Sequence, residues 1–225
     1  MTGYAFDFHG LRLEARASGA LWWPGGGWLI VADLHLGKSE RMARRGGPLL
    51  PPYEGLATLE RLAAEIAALS PAAVISLGDG FDDLAAAGAL DAGIAARLAD
   101  MGRGRDWVWI GGNHDPAAPA APCGRFADLL MLEGVALRHE AEPDGGPNAG
   151  QVPDISGHFH PVVRLAGERR RAFLLGRDRL ILPAFGAYTG GLSCDDPALR
   201  ALVPRGLAIA CGVRAIPLPL VARGA

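Results

Sequence analysis

Short, uninterrupted runs of apolar residues recur along the chain, and several of them end abruptly at polar residues. The run Trp28–Ala32 stops at Asp33, and similar runs cover Trp107–Ile110 and, with the single serine Ser76, Ala73–Leu77. Runs of this length are typical of strands that are buried on both faces of a sheet. In open α/β sheets the ligand crevice lies at the carboxyl ends of the strands, so we expect the polar residues that follow these runs to meet there.

Helical and extended patterns alternate with these runs. Apolar residues at helical spacing within Leu56–Leu69 predict one helix, and the alanine-rich stretch from about Leu84 to Met101 predicts another. Later apolar runs, such as Phe173–Leu175 and Leu207–Ala210, have no helix-length segment between them, which predicts antiparallel strands. The pattern therefore predicts an α/β fold with mixed sheets.

The composition is that of an ordinary globular protein. Of the 225 residues, 50% are hydrophobic and 20% are charged, so we expect a single domain over residues 1–225 with its own core. The formal net charge of −2 provides no overall basic field. An anionic substrate must therefore be attracted by local charge.

Cysteine usage and the terminal segments predict a cytoplasmic protein without a membrane partner. Cys123, Cys194 and Cys211 are far apart and lack a C-x-x-C pairing, which is typical of free thiols in a reducing compartment. The N-terminal segment carries acidic residues and a histidine where a signal peptide needs an apolar stretch. The mostly apolar C-terminal segment fits packing on its own domain or on a second copy, which leaves a homodimer open.

Five of the six histidines fall in a series of short motifs, most of which also contain acidic or amide side chains. In chain order the motifs are Asp33-Leu34-His35, Gly78-Asp79, Gly112-Asn113-His114-Asp115, His139-Glu140 and Gly157-His158-Phe159-His160. Each motif alone also fits a helix cap or a histidine bonded to the backbone. Their order after successive strands favours a two-metal hydrolytic centre. The sixth histidine, His9, lies in a hairpin pattern and is expected in a surface turn.

The ordered set D-x-H, G-D-x-x-D, G-N-H-D, a lone histidine and G-H-x-H resembles the calcineurin-like metallophosphoesterase superfamily. Its second motif here is Gly78-Asp79-Gly80-Phe81-Asp82. The resemblance implies a four-layer sandwich, in which two mixed β-sheets pack face to face and are flanked by helices. It also implies a metal-dependent phosphodiesterase in which a hydroxide that bridges two metals attacks phosphorus.

The resemblance also implies a role for each motif residue. It implies that Asp33, His35 and His160 bind one metal and that Asn113, His139 and His158 bind the other. Asp79 would bridge the two metals. His114 matches the family's catalytic histidine, Asp115 is its expected orienting partner, and Asp82 is expected beside the ligands rather than among them. Nitrogen and oxygen ligands without thiolate suit Mn²⁺, Fe²⁺ or Zn²⁺, of which we favour Mn²⁺.

Three segments resemble more narrowly the bacterial ligase-associated DNA damage response endonucleases. They are Ala32–Lys38, Gly157–Pro161 and Pro183–Leu192. This resemblance extends over nearly the whole chain, and it implies a manganese-dependent endonuclease that cleaves DNA in a repair pathway. It also implies pathway partners, namely a DNA ligase, a helicase and an exonuclease.

Two basic clusters are candidates for contacts with substrate phosphates. The first contains Lys38, Arg41, Arg44 and Arg45, and the second is Arg169-Arg170-Arg171, which is expected in a turn. A solvated helix face and an ordinary charged turn are the alternative interpretations. From the resemblance, Phe185 and Tyr188 are expected at the rim of the cleft.

Two other functions remain open at this point. A small-molecule nucleotide phosphodiesterase or pyrophosphatase would use the same metal centre, because the centre dictates the chemistry and not the rest of the substrate. A noncatalytic scaffold with the same fold is disfavoured, because such a protein is expected to have lost ligands and every motif residue is present here.

Overall fold

The structure is a computed structural model that describes residues 3–46, 53–116, 120–142 and 152–220. Within these residues the strands are β1 Tyr4–Phe8, β2 Leu11–Ala15, β3 Leu21–Trp23, β4 Trp28–Ala32, β5 Ala73–Leu77, β6 Asp106–Ile110, β7 Arg125–Ala127, β8 Leu130–Leu132, β9 Val135–Leu137, β10 Asp154–Ser156, β11 Val162–Leu165, β12 Glu168–Leu175, β13 Arg179–Ile181, β14 Gly206–Ala210 and β15 Ile216–Leu220. The helices are α1 Lys38–Arg44, α2 Glu54–Leu69, α3 Leu84–Gly88, α4 Ala92–Gly102 and α5 Pro197–Leu202.

The first sheet contains the strands that the uninterrupted apolar runs predict. Its order is β1-β2-β3-β4-β5-β6-β7, with antiparallel pairing from β1 to β4 and parallel pairing from β4 to β7. The hairpin around His9 is confirmed, since Phe8 pairs with Leu11 across the turn. The parallel strands β4, β5 and β6 therefore end at the same edge.

The second sheet is also mixed, with the order β15-β14-β12-β13-β10-β9-β8 and with β11 paired to β12. Strand β10 runs parallel to both of its neighbours, β9 and β13. The antiparallel strands predicted for the last third of the chain are confirmed, because β12 pairs in this way with both β13 and β14. The short helix α5, which the sequence did not predict, lies between β13 and β14.

The two sheets pack face to face between helices. The central core joins one face of the first sheet, including Ile75 and Val108, to the second sheet, including Phe173 and Leu180. Helices α2 and α4 cover the outer face of the first sheet, and α5 covers the outer face of the second. Successive side chains of a strand point to opposite faces, so the buried apolar residues of β4 and β5 alternate between the two cores. The predicted four-layer α/β sandwich is confirmed.

The alanine-rich stretch forms two helices where the sequence predicted one. The carboxylate of Asp83 accepts a hydrogen bond from the backbone N–H of Ala86 at 2.7 Å and begins α3. The carboxylate of Asp91 accepts one from Gly93 N–H at 2.8 Å and begins α4. An aspartate that binds the backbone in this way starts a new helix and interrupts the preceding one.

The architecture brings the carboxyl ends of five strands to one edge. Strands β4, β5 and β6 of the first sheet and β9 and β10 of the second each end directly before one of the motifs. The loops after these strands are close in space although they span much of the chain. Across the described parts of the chain, no helix combines the length and the apolar character that crossing a membrane requires.

Candidate metal centre

The seven side chains that the motifs predicted as metal ligands converge at this edge. Asp33 and His35 follow β4, Asp79 follows β5, Asn113 follows β6, His139 follows β9, and His158 and His160 follow β10. Their polar atoms form two neighbouring groups with Asp79 between them.

The first group is Asp33, His35 and His160, whose candidate ligand atoms all lie within 4.8 Å of one another. Nε2 of His160 is 3.3 Å from Oδ1 of Asp33, which is completely buried. Nε2 of His35 and Nε2 of His160 are buried and have no hydrogen-bond partner. A buried polar atom without a partner costs free energy, and a cation between these atoms would satisfy both nitrogens. The first group therefore fits a metal ion.

The second group is Asn113, His139 and His158. Oδ1 of Asn113 lies 2.9 Å from Nε2 of His139 and 3.0 Å from Nδ1 of His158. These two nitrogens are 3.2 Å apart. Nδ1 of His139 lies 3.1 Å from the carbonyl oxygen of Leu77 and donates its proton there, which leaves a lone pair on Nε2. The second group thus presents one oxygen and two ring nitrogens to a common point.

Asp79 faces both groups with a single oxygen. Its Oδ2 atom is 3.9 Å from Nε2 of His35 and 3.6 Å from Nε2 of His139. Its Oδ1 atom accepts a hydrogen bond from the backbone N–H of His114 at 2.9 Å. The carboxylate is thereby fixed in orientation, and only 2% of the residue is exposed.

Five of these residues have left-handed backbone conformations. Asp33, His35, Asp79, His158 and His160 have φ values of 54°, 47°, 46°, 68° and 48°. Residues other than glycine rarely adopt this region, because it crowds the Cβ atom. Strained conformations of this kind concentrate at functional sites, where the surrounding structure holds them in place.

Two glycines allow the strand-end loops to approach the centre. Gly78 has a φ of 69°, and a Cβ atom there would lie 2.3 Å from Nδ1 of His139. A Cβ atom at Gly112 would lie 2.1 Å from Oδ1 of Asp79. Any side chain at these positions would displace a residue of the centre.

Asp82 lies beside the centre, as the sequence led us to expect. Its Oδ1 atom is 3.0 Å from Nδ1 of His35, and its Oδ2 atom accepts a hydrogen bond from Nε of Arg41. Burial opposes ionisation, but hydrogen bonds and charge from His35 and Arg41 lower the pKa of Asp82. Its backbone carbonyl also lies 2.8 Å from Nδ1 of His114, a contact that the sequence did not indicate.

His114 lies at the open side of the centre. Its side chain is 31% exposed, and its Nε2 atom is 4.0 Å from Oδ2 of Asp79. The His114 ring meets the His35 ring edge to face, with centroids 5.0 Å apart. With His35 and Asp79, His114 forms a third group of atoms close enough to hold a metal. The ring is thus accessible both to a substrate and to the centre.

The expected partnership of Asp115 with His114 is corrected. The buried carboxylate of Asp115 accepts hydrogen bonds from the backbone N–H groups of Asp79 and Gly112, both at 3.0 Å, and of Phe81 at 3.1 Å. Burial, together with the nearby Asp79 carboxylate, raises the pKa of Asp115 to about 6. Asp115 therefore joins the loops after β5 and β6, while a backbone carbonyl orients the ring of His114.

Two of the four basic residues in the first cluster are paired with carboxylates. Arg41 is bonded to Asp82, and Nη2 of Arg44 donates to both carboxylate oxygens of Asp83 at 2.8 and 3.1 Å. These pairings use one nitrogen of each guanidinium group that is expected to meet phosphate. In the part of the chain that the structure describes, Lys38 and Arg45 have no carboxylate partner, so both remain candidates for phosphate contacts.

The second basic cluster lies in strand β12 and not in a turn. Arg170 pairs with Glu168 at 2.7 Å, and Arg171 donates to backbone carbonyl oxygens, including that of Gly186 at 2.6 Å.

The two residues that were expected at the rim of the cleft differ in exposure, since Phe185 is completely buried and Tyr188 is 42% exposed. Only Tyr188 remains a candidate for the rim.

A pocket of about 370 Å³ opens beside the centre. It is lined by His158, Phe159, His160, Gly191 and Leu192. Two of its histidines belong to the two groups described above, so a molecule in this pocket reaches the centre. Phe159 and Leu192 give one wall an apolar surface, which suits the flat face of a base or a sugar.

Comparisons with known proteins agree with this geometry. A model of the calcineurin-like phosphoesterase family matches residues 28–172, a range that includes every residue of the centre. The chain is similar to the crystal structure of Pseudomonas putida nuclease MPE, with a TM-score of 0.75 and 30% sequence identity over 96% of this chain and 100% of that chain. No curated protein sequence matches the chain.

Proposed function

Because the chain belongs to the calcineurin-like phosphoesterase family and is a metal-dependent phosphoester hydrolase, we propose that it is a nuclease that cleaves phosphodiester bonds of DNA. The similar Pseudomonas putida protein is a nuclease, which supports a nucleic-acid substrate. The resemblance of three segments to ligase-associated repair endonucleases supports DNA and a repair pathway shared with a ligase, a helicase and an exonuclease. We assign this activity to a single cytoplasmic domain over residues 1–225.

The convergence of two ligand groups on Asp79 carries this proposal. We assign one cation to Asp33, His35 and His160, the other to Asn113, His139 and His158, and a position between them to Asp79. The unpartnered Nε2 atoms of His35 and His160 support the first group. Nδ1 of His139 donates its proton to the Leu77 carbonyl oxygen, so Nε2 keeps a lone pair for a metal, which supports the second group. Bound divalent cations, with Mn²⁺ favoured over Fe²⁺ and Zn²⁺, would activate water and neutralise charge on the phosphoryl group.

The charge of the ligand set favours an anionic substrate. Asp33 and Asp79 are the only carboxylates among the seven assigned ligands, whereas the amide and the neutral imidazoles carry no charge. Two divalent cations therefore leave the centre with a net positive charge. This local charge would attract a phosphodiester although the whole chain has a formal net charge of −2.

We assign to His114 the protonation of the leaving oxygen. Its Nδ1 atom donates to the carbonyl oxygen of Asp82, which orients the ring. Nε2 is on the side of the ring that faces the centre, 4.0 Å from Oδ2 of Asp79. Cleavage of a phosphodiester releases a sugar oxygen, and proton donation from Nε2 would prevent that oxygen from leaving as an alkoxide.

The surroundings of the centre fit a nucleotide chain. Lys38 and Arg45 lie on or beside α1, directly after the first motif, and are available to phosphates next to the scissile one. Phe159 and Leu192 line the adjoining pocket, and Tyr188 is exposed in the same loop region. Positive groups together with apolar surfaces are the features that bind single strands without reading their sequence.

A turnover assay with Mn²⁺ tests the proposal. Single-stranded DNA, duplex DNA, cyclic nucleotides, dinucleoside polyphosphates and an aryl phosphodiester would be compared at equal concentration. We expect cleavage of DNA and of the aryl diester, and a His139→Ala variant purified in parallel should lack both activities. Turnover restricted to dinucleoside polyphosphates would indicate a pyrophosphatase instead, and no turnover by metal-loaded protein would refute the nuclease.

A further inference from the structure

A second pocket, lined by positively charged residues, lies apart from the metal centre. It has a volume of about 530 Å³, and its lining includes Arg61, Arg170, Arg171, Ser18 and Glu168. Three arginines thus face one carboxylate, and no residue of this pocket belongs to the metal centre. We call it the arginine pocket.

Arg61 is held in the wall of the arginine pocket by the Phe185 residue. Its Nη2 atom donates to the carbonyl oxygen of Phe185, and its Cζ atom lies 4.5 Å from the centroid of the Phe185 ring. Its Nε atom is buried and has no hydrogen-bond partner. Burial, and the like charge of Arg171, lower the pKa of Arg61 to about 10. The Arg61 guanidinium therefore keeps one N–H donor without an acceptor, and its positive charge is only partly balanced.

Arg171 has a similar environment. It donates to the carbonyl oxygens of Gly186 at 2.6 Å and Ala187 at 3.3 Å, and burial lowers its pKa. Within the described ranges, neither Arg61 nor Arg171 has a carboxylate at ion-pair distance. Carbonyl groups supply dipoles and no net charge, so two partly buried positive charges remain without an anion, which is unfavourable.

The rest of the wall adds donors. The carboxylate of Glu168 is already paired with Arg170, and it is largely exposed to solvent. The hydroxyl oxygen of Ser18 accepts a hydrogen bond from the backbone N–H of Ala20 at 3.2 Å, so its own proton is free to be donated. Phosphate oxygens accept hydrogen bonds from guanidinium and hydroxyl groups. The volume of the pocket also exceeds that of a phosphate ion.

We propose that the arginine pocket is a binding site for a phosphate group, either on a small phosphate compound or on a nucleic-acid strand. Arg61 and Arg171 would supply the charge, and Ser18 would donate a further hydrogen bond. This inference rests on the pocket alone and does not depend on the proposed nuclease activity.

The pocket is connected to the metal centre through one segment of chain. The N–H of Phe185 donates to the carbonyl oxygen of Ala32 at 2.8 Å, and the N–H of Gly186 donates to that of Asp33 at 3.0 Å. The carbonyls of Phe185 and Gly186 accept hydrogen bonds from Arg61 and Arg171. An anion bound by the two arginines would therefore affect their hydrogen bonds to Phe185 and Gly186, the residues whose N–H groups bind the backbone at Ala32 and Asp33.

A fluorophore at the mouth of the pocket tests the proposal. Val213 lines the pocket and is 92% exposed, so Val213→Cys gives an attachment site that should not disturb folding. Metal-loaded, labelled protein would be titrated with inorganic phosphate, a 5′-mononucleotide and a short single-stranded oligonucleotide. We expect a saturable signal that persists after the metals are chelated. A response to the small ligands identifies a small phosphate compound, and a response to the oligonucleotide alone identifies a strand.

Ser18 provides a matched pair of variants that leave the arginines intact. Ser18→Asp keeps an acceptor for the Ala20 N–H but adds a negative charge, whereas Ser18→Asn keeps the acceptor without the charge. We expect Ser18→Asp to weaken binding by about tenfold or more and Ser18→Asn to retain it. Arg61→Gln should also weaken binding, while Arg12→Gln, which removes an exposed arginine elsewhere, should not.

Three results would overturn the proposal. One is the absence of a saturable signal with all three ligands. Another is a signal that disappears on chelation, which would place the anion at the metal centre. The third is equal affinity of the Ser18→Asp and Ser18→Asn proteins, which would mean that the arginines serve only to hold the backbone of Phe185 and its neighbours.

Discussion

Oδ1 of Asp82 lies 3.0 Å from Nδ1 of His35, and the two side chains are 0% and 5% exposed. Neither atom has a hydrogen-bond partner, so Asp82 acts on the imidazole ring through its charge, which makes the other ring nitrogen a better metal ligand. Nε2 of His35 is that other nitrogen, and it is buried without a hydrogen-bond partner. Asp82 is therefore expected to control metal affinity although it is not itself an assigned ligand.

Asp82→Asn should weaken metal binding by about 10- to 100-fold, because the amide lacks the charge that polarises His35. Metal affinity measured by competition with a chelating indicator checks this. Asp83→Asn is the matched control, since Asp83 accepts a backbone hydrogen bond at the start of α3 and asparagine caps helices equally well. Unchanged affinity in Asp82→Asn would show that the contact with His35 serves only packing.

His114→Ala should lower kcat by about 10²- to 10⁴-fold while the protein keeps its full metal content, because the variant loses the proton donor. Turnover of DNA and metal analysis of the same samples check this. Loss of metal together with activity would contradict the assignment. It would make His114 a ligand with His35 and Asp79, whose atoms also lie close enough for that role.

Removal of metal should destabilise the native protein, because cations that bind only the folded state stabilise it by mass action. The stabilisation is about 2.7 kcal/mol when the metal concentration is about 100-fold above Kd. Thermal unfolding with and without a chelator measures the resulting difference in Tm. Asp79→Asn should reduce this difference, since it removes one of the two carboxylates, whereas Asp106→Asn on the exposed start of β6 should leave it unchanged.

Lys38→Gln and Arg45→Gln should each weaken DNA binding when they are introduced into the slowly cleaving His114→Ala protein. For single strands, each lost phosphate contact should reduce the slope of log K against log salt concentration by about 0.7. Arg44→Gln should have a smaller effect, because Arg44 is already paired with Asp83. Equal slopes for all of these proteins would exclude α1 from the DNA-binding surface.

The three thiols should react slowly in the native protein. Burial raises the pKa of Cys123 to about 11. Burial is also the main reason why the pKa values of Cys194 and Cys211 are raised to about 12. A raised thiol pKa means that the neutral, unreactive form prevails at pH 8, and that the thiolate appears only as the pH approaches these values. Labelling with a thiol reagent should be slow at pH 8 and fast for all three in denaturant. Rapid labelling of native Cys211 would contradict this.

Local sequence patterns predicted most of the fold. Strands β4 and β5 have the bounds of the runs that predicted them, because a strand buried on both faces is apolar at nearly every position. The single helix predicted up to Met101 was wrong, because the Asp91 carboxylate binds backbone N–H groups and starts a new helix. Helix α5 was missed, since six residues are too few to show a periodic pattern.

The sequence by itself determined which residues are available to the centre, since each motif follows its own strand and parallel strands end together. Only the tertiary structure decided how their atoms are used. Arg41 reaches Asp82, Asp115 binds backbone N–H groups, and Arg61 and Arg171 meet around the segment at Phe185. These contacts join residues far apart along the chain, so no local pattern encodes them. They depend on directional hydrogen bonds and on burial, which exist only after the two sheets have packed together.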